Sequence, residues 1–327
     1  MNRSFSLRLS IAAVAFSLAT LATAPVFAQS GPWPTKAVRM VVGFPGGSSP
    51  DAAARAIAEP LSRALGQPVV VDNKGGASGN IATEQIARAS DDHTIGIVIN
   101  GNLTSARMLY PKLPYNVERD FTFLTLVGTA PLVLVTRNDL PSGAEFFAAA
   151  KAGGDKWSYG SVGNGSVAHL GMELLKTKVP GLVPVHVPYQ GNPLVVTGLL
   201  GKQIELALIP PGVAMPQVKA GKLKAVGVSS GRSVLAPDVP PLSSAGVKDF
   251  QLEVWAALVG PASLSKAAQD RLNAALITIL ESQETRQQLY NQGWQAAAAS
   301  PAGLKARVQE ETKIMEKIIS SRGIKME

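Results

Sequence analysis

The sequence predicts an α/β fold that is organised in two doubly wound blocks. Short apolar runs rich in Val and Ile alternate with helical patterns along most of the chain, which is typical of parallel sheets whose strands are joined by helices. Many of these runs end in loops of Gly, Pro, Ser and Asn, where ligands bind in open α/β sheets. A chain of 327 residues is also long enough for two domains.

Residues 1–28 have the pattern of a secretory signal peptide. Arg3 and Arg8 form a basic start, residues 9–21 are apolar and uncharged, and small residues stand at positions −3 and −1 of a cleavage site that ends at Ala28. The alternative, a membrane anchor, needs about 20 apolar residues, and a proline cuts this run short. We therefore expect export to the periplasm, with cleavage after Ala28.

Composition excludes several classes of function. The formal charge is +8, but Lys and Arg are scattered singly, so a nucleic-acid or polybasic membrane surface is not indicated. The chain contains no cysteine, which excludes disulfides, thiolate zinc sites and a cysteine nucleophile. Its three histidines, His93, His169 and His186, are too scattered to suggest a metal cluster. We expect no metal and no cofactor.

The first block is expected to alternate strands and helices in the order strand 38–44, helix 50–65, strand 69–72, helix 80–89 and strand 95–99. Ser49 is the candidate N-cap of its first helix. Pro60 lies inside the same helix and is expected to kink it or split it in two.

The second block continues the alternation, with strand 131–136, helix 142–152, strand 157–161, helix 166–176, strand 183–187, helix 192–200, strand 205–209 and strand 224–228. A strand at 252–259 is expected to return to the first block. Two amphipathic helices, 265–282 and 300–321, follow it, and Ser300 and Pro301 form a cap and first-turn pair for the second of them.

Residues 43–55 have the layout of an anion site, because a Pro/Gly turn connects the end of a strand to the start of a helix. The first amides of a helix have no carbonyl partner, and the helix dipole places about half a positive charge there. The alternative is an ordinary strand-to-helix turn that binds no ligand. Residues 163–168 form a similar junction but lack the acidic residue that a dinucleotide site needs about 20 positions later. Neither loop has the ending of a triphosphate-binding loop.

An enzyme is the alternative class. Residues 227–231 match the G-x-S-x-G elbow of hydrolases, but every histidine lies upstream of Ser229, against the order of that fold. His169 has no carboxylate near it in sequence, which favours a structural imidazole over a general base. Trp255 and Tyr189 could stack on a ligand, although large aromatic residues are more often found in cores.

Several ordered motifs together resemble one family. They lie at residues 41–51, 65–81, 110–115, 159–170, 185–191, 220–225, 237–240 and 270–273. The chain is similar over nearly its whole length to the Bug-type receptors, which are the periplasmic solute-binding proteins of tripartite tricarboxylate transporters. The resemblance implies a hinged clamshell of the periplasmic-binding-protein type II, with residues 131–250 inserted as domain 2 into a domain 1 formed by residues 29–130 and 251–327.

The resemblance also implies the site and the partners. A small carboxylate would lie between the domains, gripped by backbone amides, and a membrane permease would receive it from a monomeric receptor. A stand-alone carboxylate sensor for a signalling partner shares every one of these features. The residues implied at the site are Phe44, Pro45, Gly46, Gly47, Ser48, Ser49, Asn100, Gly101, Asn102, Ser161, Gly163, Asn164, Gly165, Ser166, Tyr189, Gly191, Ile209 and Pro210.

Two departures from the family pattern bear on the ligand. The usual double proline before the glycines is here the single Pro45. Where many members carry an Asp-Asn-like pair, this chain has Ile209-Pro210-Pro211, which removes polar side chains from the expected pocket wall. We therefore expect a ligand whose far end is less polar than an amino acid, such as an aromatic or aliphatic dicarboxylate.

Overall fold

A computed structural model describes residues 33–324 of the chain. The predicted signal peptide lies outside the described residues. Eleven strands are assigned within them: β1 (Val38–Val42), β2 (Val69–Asn73), β3 (Thr94–Ile99), β4 (Phe121–Pro131), β5 (Val133–Arg137), β6 (Ser158–Ser161), β7 (Val185–Pro188), β8 (Leu206–Ile209), β9 (Leu223–Val228), β10 (Glu253–Pro261) and β11 (Gln295–Ala296). No helix among residues 33–324 combines the length and the apolar character needed to span a bilayer.

The helices connect and cover these strands. They are α1 (Ser49–Leu65), α2 (Asn80–Ala87), α3 (Asn100–Leu103), α4 (Ala106–Leu109), α5 (Ala144–Gly153), α6 (Val167–Lys178), α7 (Asn192–Leu200), α8 (Pro211–Lys219), α9 (Lys266–Glu281), α10 (Gln283–Asn291) and α11 (Pro301–Arg322). As predicted, Ser300 caps α11, because its side chain accepts a hydrogen bond from the amide of Gly303.

The strands form two sheets. The first has the order β11-β4-β10-β3-β1-β2 and the second the order β7-β6-β8-β5-β9. The first sheet therefore contains strands that precede the second sheet in the chain, β1 to β4, and strands that follow it, β10 and β11. Parallel sheets were expected, and β1 runs parallel to β2 and β3 while β6 runs parallel to β7 and β8. Each sheet also contains antiparallel pairs, which the sequence pattern did not predict. β10 runs antiparallel to β3 and β4, and β5 runs antiparallel to β8 and β9. The physical reason in the first sheet is that β4 leads the chain out towards the second sheet while β10 brings it back.

Of the two alternatives expected at Pro60, a split helix is wrong, because α1 runs unbroken from Ser49 to Leu65, and a kink stays a prediction. Proline removes one helical hydrogen bond, but α1 buries a full apolar face that includes Ile57 and Leu61, and this burial offsets the loss. The N-cap is Ser48 rather than Ser49, and its side chain makes no capping bond. The prolines Pro211 and Pro216 hid helix α8 from the sequence pattern.

The chain passes between the sheets at Leu132 and again near Leu252, and Ser229 joins the two crossings. The amide of Leu132 donates to Ser229 Oγ at 2.8 Å, and that hydroxyl donates to the Leu252 carbonyl at 2.6 Å. The backbone of Ser229 also bonds to both residues. Ser229 is completely buried, so the serine of the hydrolase-like motif holds the two crossings together.

Candidate ligand-binding cleft

A small, partly open cavity lies where the loops of the two sheets meet. Its volume is about 30 Å³, which is close to the space that one water molecule occupies in the liquid. Neither sheet alone builds it, since its walls come from both. The lining residues are Phe44, Ser49, Pro50, Ile99, Leu132, Val162, Val167, Ala168, Asn192, Leu208, Pro210, Val254 and Trp294. None of these side chains is charged.

Four helix N-termini converge on this cavity. Ser49 and Pro50 open α1, Val167 and Ala168 open α6, Asn192 opens α7, and Pro210 is the N-cap of α8. Three of these helices carry a proline at the first or second position, which fixes the helical φ without removing a needed donor. Each N-terminus contributes a partial positive charge, so the cavity is suited to an anion although no cation lines it.

The N-terminus of α1 presents free donors. The hydroxyls of Ser48 and Ser49 are buried and have no hydrogen-bond partner within residues 33–324. The amides of Ser49 and Asp51 likewise have none there. Buried donors without partners are rare in folded proteins, because each costs roughly 1–3 kcal/mol. This N-terminus is therefore a candidate site for acceptor atoms of a ligand.

Gly47, by contrast, uses its amide inside the protein. It donates to Asp51 Oδ2 at 2.9 Å, and the same carboxylate accepts hydrogen bonds from Arg55 and Asn73. Burial alone raises the pKa of Asp51, but these hydrogen bonds and the Arg55 charge outweigh it and lower that pKa. Asp51 therefore shapes the turn, and Gly47 serves the loop rather than offering a donor to the cavity.

The N-terminus of α6 has the same character as that of α1. Ser166 caps it by accepting the amide of His169, and the amide of Gly165 donates to His169 Nδ1 at 3.0 Å. The amides of Val167 and Ala168, the first two residues of α6, have no partner in the part of the chain that the structure describes. Both residues line the cavity, opposite the free donors of α1.

Hydroxyl groups from the first sheet's side hold the loop before α6. Ser78 Oγ and Tyr110 OH donate to the carbonyl of Asn164 at 3.0 and 3.2 Å, and Ser105 Oγ donates to that of Gly165 at 2.7 Å. These bonds cross the cleft, so the structure represents the closed arrangement of the two halves.

The predicted loop 100–102 turns most of its polar groups away from the cavity. Asn100 Nδ2 donates to Glu311 and to the Glu253 carbonyl, and Asn102 Nδ2 donates to Ser78 and Asn80. Burial raises the pKa of Glu311 to about 7, although Trp255 and Asn100 donate to it. Trp255 is accordingly a fully buried core residue.

The remaining predicted residues lie in several parts of the cleft. Ser161 and Ile209 are fully buried in the second sheet, and Pro210 lines the cavity. Gly101, Asn164, Gly165 and Ser166 surround a second cavity of about 10 Å³. Phe44, Gly163, Asn164 and Tyr189 line a groove of about 300 Å³. Gly191 faces Pro45, because a Cβ built on this glycine would lie 3.0 Å from the proline ring.

Sequence reasoning missed two polar wall residues. Trp294 is fully buried, lines the cavity, and donates its indole N–H to the carbonyl of Ser49 at 3.0 Å. No neighbouring sequence motif identifies Trp294 as a site residue, because it follows α10 and lies far in sequence from the loop before α1. Asn192 is 5% exposed and begins α7, and the Gly-Asn-Pro run before that helix was a usable signal. Residues 33–324 hold no cluster of three His, Asp or Glu side chains arranged for a metal ion.

Comparisons with known proteins place the chain in a family. Residues 53–324 match the model of the tripartite tricarboxylate transporter family receptor. The structure of the periplasmic binding protein BugD is 30% identical, with a TM-score of 0.85, and the match covers 90% of this chain and 100% of that one. These matches confirm the Bug-type resemblance and the two-domain α/β fold of periplasmic binding proteins.

Two further similar structures were solved with a carboxylic acid. MatC from Rhodopseudomonas palustris with bound malate is 30% identical, with a TM-score of 0.82, over 88% of this chain and 100% of MatC. R. palustris Rpa4515 with adipate is 28% identical, with a TM-score of 0.86, over 90% of this chain and 100% of that one. The chain therefore belongs to the tripartite tricarboxylate transporter receptor family and is a solute-binding receptor of the Bug type.

Proposed function

We propose that this receptor captures a small carboxylate in the cleft between its two sheets, with one carboxylate group at the cavity of about 30 Å³ and the rest of the ligand towards the groove of about 300 Å³ that shares Phe44 and Val162 with it. The observation that carries the proposal is that residues from two helix N-termini, Ser49 of α1 with Val167 and Ala168 of α6, line one cavity and have donors without a partner within residues 33–324. The Ser48 hydroxyl, which is also buried and unpartnered there, precedes Ser49 in the chain. A carboxylate oxygen is an acceptor with several lone pairs and would satisfy these donors together. The related structures with malate and adipate support a carboxylate as the ligand.

The magnitudes are sufficient without a Lys or Arg clamp. A hydrogen bond to a charged group contributes roughly 1.5–3 kcal/mol, and a helix N-terminus contributes up to about 2 kcal/mol. Three or four such contacts amount to roughly 5–12 kcal/mol before the costs of association and closure, which is the same order as the roughly 8 kcal/mol of a micromolar binder.

The cavity walls favour a ligand that carries no polar group besides its carboxylates. Leu132, Leu208 and Val254 line it beside Pro210, and the only polar side chains in the lining besides the indole of Trp294 are those of Ser49 and Asn192. A hydroxylated or aminated acid would leave its extra polar groups without partners there, which is costly in a dry site. An aromatic or aliphatic dicarboxylate fits better than citrate or aspartate.

We propose a cellular role on the basis of the family and of the predicted signal peptide. The chain is exported, loses residues 1–28, and presents its ligand in the periplasm, as a monomer, to a tripartite transporter permease. Residues 131–250 act as the inserted domain and move against residues 29–130 and 251–327 when ligand binds. Genes for a large and a small membrane subunit beside this one would favour transport over a signalling role.

A screen of acids tests the proposed ligand class. Adipate and terephthalate are expected to raise the melting temperature and to give micromolar dissociation constants by calorimetry, because their apolar bodies match the walls. Citrate and aspartate are expected to bind at least about tenfold more weakly, since an unpaired buried polar group costs roughly 1–3 kcal/mol.

Two results would contradict the proposal. Tight binding of citrate or aspartate without binding of the diacids would overturn the ligand class. Turnover of an ester panel that Ser229→Ala abolishes would instead favour the hydrolase alternative, although Ser229 is buried between the crossings.

A further inference from the structure

Two stacked histidines stand directly behind the loop formed by residues 161–166. The rings of His169 and His186 lie 4.2 Å apart with 13° between their planes, and His186 stacks in turn on Tyr159 at 4.8 Å. His169 Nδ1 accepts the amide of Gly165 at the end of the loop. His186 Nε2 lies 2.7 Å from Ser161 Oγ at its beginning. The pair therefore contacts both ends of one binding loop.

The bond to Gly165 fixes the chemical state of His169. A nitrogen that accepts a hydrogen bond carries no proton, so neutral His169 bears its proton on Nε2. A protonated imidazole has two donors and no acceptor, so it would face the Gly165 amide with a second N–H. The loop geometry in the closed structure thus requires neutral His169.

The surroundings keep both rings neutral at pH 7. Burial, with a smaller contribution from the Lys176 charge, lowers the pKa of His169 to about 4. Burial, the neighbouring His169 and the Lys176 charge together lower the pKa of His186 to about 3. Glu173 acts in the opposite sense, but its carboxylate is already engaged by Tyr159, Lys176 and Arg322. These are the charged and titratable groups that face the pair from the helices and strands around it.

We propose that His169 is a positioning residue for the ligand: its acceptor nitrogen holds Gly165 so that the free amides of α6 face the carboxylate, and its protonation releases them. This inference rests on the proposed function, since it concerns the same site. Acid would then weaken ligand binding through the receptor itself, in addition to any protonation of the ligand. The cause is that the proton removes the acceptor on which the loop depends.

A matched pair of variants separates this role from simple packing. His169→Asn keeps an acceptor near the position of Nδ1, whereas His169→Leu fills the space without one. With adipate as the probe at pH 7, His169→Leu is expected to raise the dissociation constant about tenfold or more, because a buried amide loses its partner. His169→Asn is expected to stay within about threefold of wild type. His93→Asn, distant from the cleft, is the control.

The pH profile supplies a readout that packing would not move. The ratio of wild-type to His169→Asn dissociation constants cancels adipate's own titration. It should stay constant from pH 7 to about 5 and should rise as pH falls through the His169 pKa of about 4, by up to about tenfold per pH unit below that value. A ratio that stays constant down to about pH 3 would overturn the inference, as would equal affinities for His169→Leu and wild type.

A measurement without ligand keeps the two proposals distinguishable. In amide exchange followed by NMR, the Gly165 amide should be protected in wild type and His169→Asn and exposed in His169→Leu. If wild type binds no adipate, the proposed ligand class fails while this result still decides the histidine's role. An amide of Gly165 that stays protected in His169→Leu would overturn it.

Discussion

Gly212→Ala is expected to hold the cleft open and to weaken adipate binding by about 10- to 100-fold. A Cβ built on Gly212 would lie 2.0 Å from the carbonyl oxygen of Gln292 and 3.2 Å from the Cα of Gly293. Gly212 belongs to α8 beside the second sheet, whereas Gln292 follows α10 beside the first. Both contacts are backbone atoms, so the methyl group can be accommodated only if the two halves separate. Overpacking of this kind costs roughly 1–3 kcal/mol.

The control is Gly231→Ala, because a Cβ at Gly231 meets no atom within 4 Å. Calorimetry measures the affinity, and small-angle scattering measures whether the radius of gyration decreases when adipate is added. Wild type and Gly231→Ala should both contract, and Gly212→Ala should stay expanded. A Gly212→Ala protein that binds and contracts like wild type would show that the closed contact at Gln292 is not needed for binding.

Removal of either free hydroxyl at the start of α1 is expected to weaken binding as well. Ser48→Ala and Ser49→Ala each delete a donor that has no partner among residues 33–324, and a hydrogen bond to a charged acceptor contributes roughly 1.5–3 kcal/mol. The expected increase in the dissociation constant is about 10- to 100-fold for each variant. Because these hydroxyls have no protein partner to lose, the melting temperature of the ligand-free protein should hold or rise slightly.

Ser230→Ala serves as the comparison for the two serine variants, since that hydroxyl bonds only to the Gly231 carbonyl near the surface. Its affinity should equal that of wild type. If Ser48→Ala and Ser49→Ala kept full affinity while folded, the ligand would contact another part of the cleft.

The candidate site was predictable where its signals are local. The Pro/Gly turn before α1 and the Gly-Ser junction before α6 each mark a helix N-terminus within about ten residues of sequence. Because dipoles and free amides belong to every helix start, the anion-binding character followed from the pattern alone. Of the residues predicted at the site, Phe44, Ser49 and Pro210 line the cavity, and their contact with a ligand stays a prediction.

The rest depends on contacts that are distant in sequence. Trp294 reaches Ser49 across 245 residues, and Leu132 and Val254 enter the wall only because the chain crosses between the sheets there. The Gly47 amide was expected to face a ligand, but the position of Asp51 one turn later determines its partner. Pairing of β4 with β10 is likewise set by tertiary topology, which periodicity does not encode.

The most direct test of the account is an NMR titration with the acid that stabilises the protein most in the screen. The account predicts that the amide protons of Ser49, Asp51, Val167 and Ala168 move downfield together, with the affinity that calorimetry gives, because a carboxylate accepts hydrogen bonds at both helix N-termini. Saturable binding that leaves these four amides unmoved and shifts those near the surface groove of residues 109–114 would contradict it.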